Sequence, residues 1–163
     1  MNNKSTLHFF CGKMAAGKST LAKTLAIKHN AILLVEDDWL TQLYPGEISN
    51  IPDYLQYSSR LKSVLSPHIQ SLLSSGNTVV LDFPANTENQ RKWFRSLFKQ
   101  NNTPHVLHFV DKSDDKCKEQ LKHRSKNMPK GSAFTTNEEF DQINKYFQAP
   151  LDTEHFTIIR YET

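Results

Sequence analysis

The stretch Gly12-Lys13-Met14-Ala15-Ala16-Gly17-Lys18-Ser19-Thr20 constrains this chain more than any other. It reads G-x-x-x-x-G-K-S, the pattern of a loop whose backbone N–H groups turn inward to cradle phosphate oxygens. The glycines allow the turns and the close approach of backbone to ligand, and the positive end of the following helix draws anions. In such a loop Lys18 reaches the β- and γ-phosphates and the Ser19 hydroxyl ligands Mg²⁺. The flanking sequence agrees. Thr6–Cys11 is a short apolar strand, and Ser19–His29 places Leu21, Ala22, Leu25 and Ala26 on one helical face. A glycine-rich turn that binds nothing has no use for Lys18 and Ser19 together, so residues 12–20 are expected to hold ATP with Mg²⁺.

Beyond this loop the apolar runs alternate with helical spacing. Ala31–Val35 is a continuous apolar run, as in a strand buried on both faces, and it stops abruptly at Glu36-Asp37-Asp38-Trp39. Thr41–Pro52 reads as a short helix and then a loop around Pro45-Gly46. Asp53–Ser74 has helical periodicity that Pro67 should kink or split in two. Thr78–Phe83 is a second buried strand with Asp82 near its end. Thr87-x-x-Gln90 opens a helix through Lys99, and His105–Val110 is the next strand. Ser113 caps a helix through about Lys122, a polar stretch follows, Thr136-x-x-Glu139 opens a helix to Phe147, and Phe156–Tyr161 is a last strand. This alternation predicts an α/β fold with five parallel strands, the loop-bearing strand central, and helices on both faces.

Length and composition narrow the class. A chain of 163 residues suits one domain, and 37% apolar with 23% charged residues is ordinary for a soluble globular protein. A formal charge of +3 suits a polyanionic small ligand but is too small to imply nucleic acid by itself. Met1–Ser5 runs directly into the first strand with no secretory signal, and no apolar run approaches a membrane span, which together predict a cytoplasmic protein. Cys11 and Cys117 form no C-x-x-C pair and read as reduced thiols. His105 and His108 fall on opposite faces of one strand, so no protein-bound zinc site is expected.

Phosphoryl transfer needs in-line positioning, Mg²⁺, cations for the transferred oxygens, and a base for the attacking hydroxyl. Acids at the carboxyl end of a buried strand stand where open α/β sheets place their ligands. Asp37 and Asp38 are therefore the base candidates, one of them taking the acceptor's proton and the other capping the next helix, with Glu36 turned away towards the surface. Asp82, ending its own strand, would hold Mg²⁺ with Ser19. Lys122, Arg124, Lys126 and Lys130 lie in a segment with the composition of a closing lid, and Arg124 has the planar fork that suits phosphate oxygens. Trp39, Tyr44, Tyr54 and Tyr57 could line an acceptor pocket, and Arg60 and Arg91 could face it.

The order of phosphate loop, strand ending in Asp37-Asp38, strand ending in Asp82 and Arg124-bearing segment resembles the small P-loop kinases related to phage polynucleotide 5′-kinase, zeta toxins and chloramphenicol phosphotransferase. Glu36–Ile48 and Leu81–Thr87 are also similar to bacterial AAA-family ATPases. The resemblance covers nearly the whole chain and implies a P-loop NTPase fold: a three-layer, nucleoside-kinase-like sandwich with a short lid at about 123–135. It implies that Asp37 is the general base, that Lys18 and Arg124 are catalytic, that Arg124 touches the nucleotide, and that Arg91 matches an arginine opening the helix after the Asp82 strand. Two positions depart from the polynucleotide kinases. Their acceptor-gripping arginine falls at Leu40, and their second lid arginine at Met128, leaving Lys126 as a substitute. These departures point away from nucleic acid and towards a small-molecule acceptor whose pocket includes Asp38, Trp39, Tyr44, Arg60 and Arg91. The other readings are a regulatory ATPase with no small-molecule acceptor and a nucleic-acid 5′-hydroxyl kinase. The acceptor's identity, the nucleotide base and the oligomeric state are not written in these residues.

Overall fold

Leu7, Phe9 and Cys11 point to one side of β1 (Leu7–Cys11), and His8 and Phe10 point to the other. All five are buried, which in a period-2 element requires covered layers on both faces. The computed structural model, which describes residues 4–162, supplies those layers. Met1–Asn3 lie outside the described residues, so the expected run into β1 is described from Lys4 onward.

After β1 come α1 (Lys18–Lys28), β2 (Ile32–Val35), α2 (Glu36–Leu43), α3 (Ile51–Ser74), β3 (Val79–Pro84), α4 (Glu88–Phe98), β4 (His105–Asp111), α5 (Asp114–Ser125), α6 (Asn137–Asn144), a 3₁₀ turn (Asp152–Glu154) and β5 (Ile158–Glu162). The five strands form one sheet in the order β2-β3-β1-β4-β5, every pairing parallel, with β1 at the centre as expected. α3 and α4 pack on one face through Leu61, Leu65, Ile69, Leu73, Phe94 and Leu97. α1 covers the other face with Ala22, Leu25 and Ala26 against Phe10 and Val80. Cys117, Leu121 and Phe140 of α5 and α6 close around Ala16 and Val110 beside the phosphate loop.

Three elements differ from expectation. The helix expected from Thr41 instead begins at Glu36, directly from β2, and ends at Leu43. α3 is one 24-residue helix despite Pro67, because its buried row of leucines and isoleucine runs unbroken past the proline. α5 extends to Ser125, so Arg124 sits on a helix rather than in the loop after it.

The α1-side face of the sheet also carries a polar seam. His8 Nδ1 lies 3.0 Å from His108 Nε2, and His108 Nδ1 lies 2.9 Å from the Tyr161 hydroxyl. His8 stacks on His29, with ring centroids 4.9 Å apart. His105, on the opposite face, stacks on Phe98.

Candidate active site

The phosphate loop is held in shape by its neighbours on the sheet. Gly12 lies so close to β4 that a Cβ there would stand 2.9 Å from the Val110 carbonyl oxygen, which leaves room for glycine alone. Its N–H donates to Asn86 Oδ1 at 2.9 Å, and the Asn86 N–H donates to Gln90 Oε1 at 2.8 Å. The start of α4 is thereby linked to the start of the loop. Gly17, at φ 105°, turns the chain into α1, and Ala15 is also left-handed at φ 62°. The Lys18 ammonium rests on the carbonyls of Gly12 (2.5 Å) and Lys13 (2.9 Å) across the loop. Lys13 pairs with Asp114 of α5 at 2.6 Å. Ser19 and Thr20 open α1 and are exposed.

Strand pairing brings the acids to this loop. Val35 stands opposite Asp82 in the β2–β3 ladder, so Asp37, two residues on, emerges beside it at the strand ends. Asp82 shares its side of β3 with Val80, the α1 side, and so faces the loop rather than α3 and α4. Asp37 opens towards solvent as a residue, yet the packed strand ends withdraw enough water from its carboxyl to raise its pKa. Repulsion from Asp82 adds to that rise, and Arg124 and Lys18 oppose it. Burial lowers the Lys18 pKa, with Cys11 and Asp82 pulling it back up and Arg124 pushing it down. Asp82 thus acts on both Lys18 and Asp37, and Arg124 acts on the same two from the end of α5. These are the positive and negative groups that phosphoryl transfer requires.

A model of the AAA domain family matches residues 7–150. The chain belongs to that family. The fold is shared with solved structures at low identity. A putative kinase from Chloroflexus aurantiacus J-10-fl has a TM-score of 0.75 at 16% identity, covering 99% of this chain and 89% of its own. Chaetomium thermophilum Kti12, solved with ADP-AlF3, has a TM-score of 0.68 at 14% identity, covering 95% and 89%. The Mycobacterium tuberculosis APS kinase CysC, solved with AMPPNP and APS, has a TM-score of 0.64 at 16% identity, covering 98% and 88%. No curated protein sequence matches the chain.

In this AAA domain the remaining anticipated site residues fall in different places. Glu36 does not turn to the surface. It is 2% exposed and accepts hydrogen bonds from the Tyr54 hydroxyl (2.5 Å) and Ser58 Oγ (2.8 Å), which fix α3 to the start of α2. Burial raises its pKa, and those two hydroxyls and Lys62 oppose the rise. Arg91, expected to face the acceptor, is 0% exposed and does not reach an open pocket. Its guanidinium donates to Glu154 (2.8 Å) and to the carbonyls of Ala85 (2.9 Å) and Gln148 (2.7 Å), clamping the chain's return from α6 onto α4. The Tyr44 and Tyr57 rings meet at a tilt with centroids 4.2 Å apart, and Arg60 lies over Tyr57 on the outer surface. Trp39 and Asp38 are exposed on α2 next to Asp37. Phe134, in the segment between α5 and α6, meets Tyr54 edge-on, so this segment reaches from Arg124 to the top of α3.

Two residues beside the loop were not anticipated. Asn86 accepts the loop's first N–H, from Gly12. Lys112 follows β4, and its amine lies 4.0 Å from where a Gly17 Cβ would stand. The signal that points to Lys112 is its place at a strand's carboxyl end, the same rule that singled out Asp37 and Asp82.

Proposed function

We propose that this chain is an ATP-dependent kinase that transfers the γ-phosphoryl group to a hydroxyl of a small molecule. The observation that carries this reading is the mutual electrostatic reach of Lys18, Asp37, Asp82 and Arg124 at the mouth of one phosphate loop. Asp37 takes the proton of the acceptor hydroxyl. The freed oxygen bonds to the γ-phosphorus as the bond to the β–γ bridging oxygen breaks, and ADP departs. Lys18 and Arg124 neutralise the transferred oxygens, and residues 12–20 bind the remaining phosphates. Ser19, at the start of α1, and Asp82, on the α1 side of β3, offer oxygen donors, a hard set that fits Mg²⁺, an ion that takes one or two protein oxygens beside its phosphates. Bound there, the ion would add charge neutralisation between the β- and γ-phosphates. Asp38 and Trp39 flank the acceptor, and residues 123–135 act as the lid of a single kinase-like domain spanning 1–163.

Several features support this over the other readings. Leu40, where polynucleotide kinases carry a cation, is 3% exposed and packed in the core, so nothing positive grips a nucleic-acid phosphate there. No helix among the described residues is long and apolar enough to cross a membrane, and both cysteines are free thiols, in keeping with a cytoplasmic enzyme.

The test is an acceptor screen with purified protein and MgATP, read by ADP release and by acceptor mass. Asp37→Asn should lower kcat by about 10²–10⁴ with ATP affinity retained, the range for a lost general base. Lys18→Ala should abolish transfer and weaken ATP binding. Full transfer by Asp37→Asn, with Lys18→Ala inactive, would remove Asp37 from the base role. ADP release at one slow rate, whatever acceptor is supplied, would favour the regulatory ATPase.

A further inference from the structure

Between α3 and α4 lies a cleft of about 380 Å³ that none of the proposed catalytic residues enters. Ser59, Lys62, Ser63 and Ser66 line it from one face of α3, and Asn89 and Trp93 line it from α4. Most of the accessible lining is apolar, with Leu55, Tyr54 and Trp93 among it, and the Ser59 and Ser63 hydroxyls and the Asn89 amide are set into it; Lys62 is its one charged group, with no carboxylate among the residues that form it. The Lys62 amine sits 5.0 Å from the Trp93 ring centroid and has no ion-pair partner among the described residues. Glu36, the acid that acts on it, already accepts hydrogen bonds from Tyr54 and Ser58. A largely apolar recess with a few donors and one cation that lacks a carboxylate partner suits a small ligand that carries a single negative group.

The cleft is tied to the active site at two points. Tyr54 lines its upper end and donates to Glu36, the residue before Asp37. Gln90 also lines it, and through Asn86 holds the N–H of Gly12 at the start of the phosphate loop. We propose that this cleft seats the anionic group of the phosphoryl acceptor. The substrate class is then a hydroxyl-bearing small molecule with a phosphate or carboxylate at its far end. Lys62, Ser59, Ser63 and Asn89 hold that end, and the hydroxyl passes Tyr54 towards Asp37. One cation serves a single anionic group and not a nucleic-acid backbone, which needs several. The acceptor role rests on the kinase reading above, whereas occupation of the cleft can be read without turnover.

Trp93 provides that readout. The chain has two tryptophans, so the part of the wild-type protein's signal that the Trp93→Phe protein lacks reports from the cleft. With the phosphate loop saturated by MgADP, that part of the fluorescence is followed on titration with glycerol 3-phosphate and D-glycerate, and with glycerol as the uncharged counterpart. A saturable change with at least one anionic probe is expected, none with glycerol, and at least a tenfold weaker midpoint when Lys62→Gln is added. Glutamine keeps the stem over Trp93 and removes the charge. A missing response to both anions, an equal response to glycerol, or an unchanged midpoint in the Lys62→Gln protein would overturn the proposal. In the acceptor screen, Lys62→Gln should raise the acceptor's KM at least tenfold with kcat little changed. A fluorescence response lost in Lys62→Gln, combined with no transfer to any acceptor, would overturn the acceptor role and leave the cleft as an anion site.

Discussion

At Gly12 a single methyl group decides whether the phosphate loop can sit against the sheet. A Cβ would press on the Val110 carbonyl at 2.9 Å, and that backbone is fixed by its pairing with β5, where Val110 stands opposite Tyr161. Gly12→Ala should therefore destabilise the fold by about 1–3 kcal/mol, the usual range for overpacking, and weaken ATP binding. Chemical denaturation and nucleotide titration check the two effects. Arg91 makes the opposite case, a large side chain whose removal opens the structure. Arg91→Met keeps the volume but leaves Glu154 and two carbonyls without their guanidinium. A loss of about 3–5 kcal/mol is expected, as when one partner of a buried ion pair is removed. An unfolding midpoint within error of the wild type would contradict that assignment. The glycines and Lys18 were legible from sequence because their spacing is their signal. Arg91 was misplaced because its partner Glu154 lies 63 residues away, and nothing local announces the pairing. Glu36 was misread for a similar reason. Three consecutive acids do not say which one turns inward, and the hydroxyls that receive it come from another helix.

At the scale of elements, the helix starts were the most readable feature. Thr87, Ser113 and Thr136 each accept a backbone N–H three residues on, as their sequence contexts predict. The glutamine and glutamate of the two capping boxes reach further back than expected. Gln90 takes the N–H of Asn86, and Glu139 takes those of Phe134 and Thr135, so both tie a loop to its helix. α3 was not split at Pro67, one of the two expected outcomes, because packing outweighed the missing N–H, a contest that sequence alone does not weigh. Pro67 is nonetheless an exposed proline inside a helix, with one hydrogen bond absent. Pro67→Ala should raise stability by roughly 1–3 kcal/mol, measured as an upward shift in the thermal midpoint. A drop would show that the helix depends on the proline's geometry.

At the scale of the whole molecule, the five parallel strands and the central place of β1 followed from one alternation of apolar runs, whereas the order β2-β3-β1-β4-β5 was not predicted. Nor was the seam of His8, His108 and Tyr161, because it assembles across three strands, with His29 of the α1 connection stacked on it. Burial, followed by repulsion from neighbouring histidines, lowers the pKa of His8 and of His108 to about 4. Below pH 6.5 the unfolded chain takes up protons that these two native side chains refuse. Stability should then be indifferent to them above pH 6.5 and fall progressively from there towards pH 4, by on the order of 1 kcal/mol per histidine per pH unit. Denaturant midpoints across that window test it. His8→Phe should flatten the slope, and a slope unchanged by that substitution would mean other groups govern the acid limb.

Cys11 ends the central strand one residue before the phosphate loop, with the Arg91 guanidinium and Lys18 nearby. Either cation could have made it a reactive thiolate. Burial dominates instead and pushes the thiol up to about 12, and burial also raises Cys117. Both sulfurs therefore stay protonated and shielded under oxidising conditions. A maleimide dye coupled to a cysteine newly introduced between α5 and α6 would label that segment alone, so the proposed lid role could be tested in solution against a silent background.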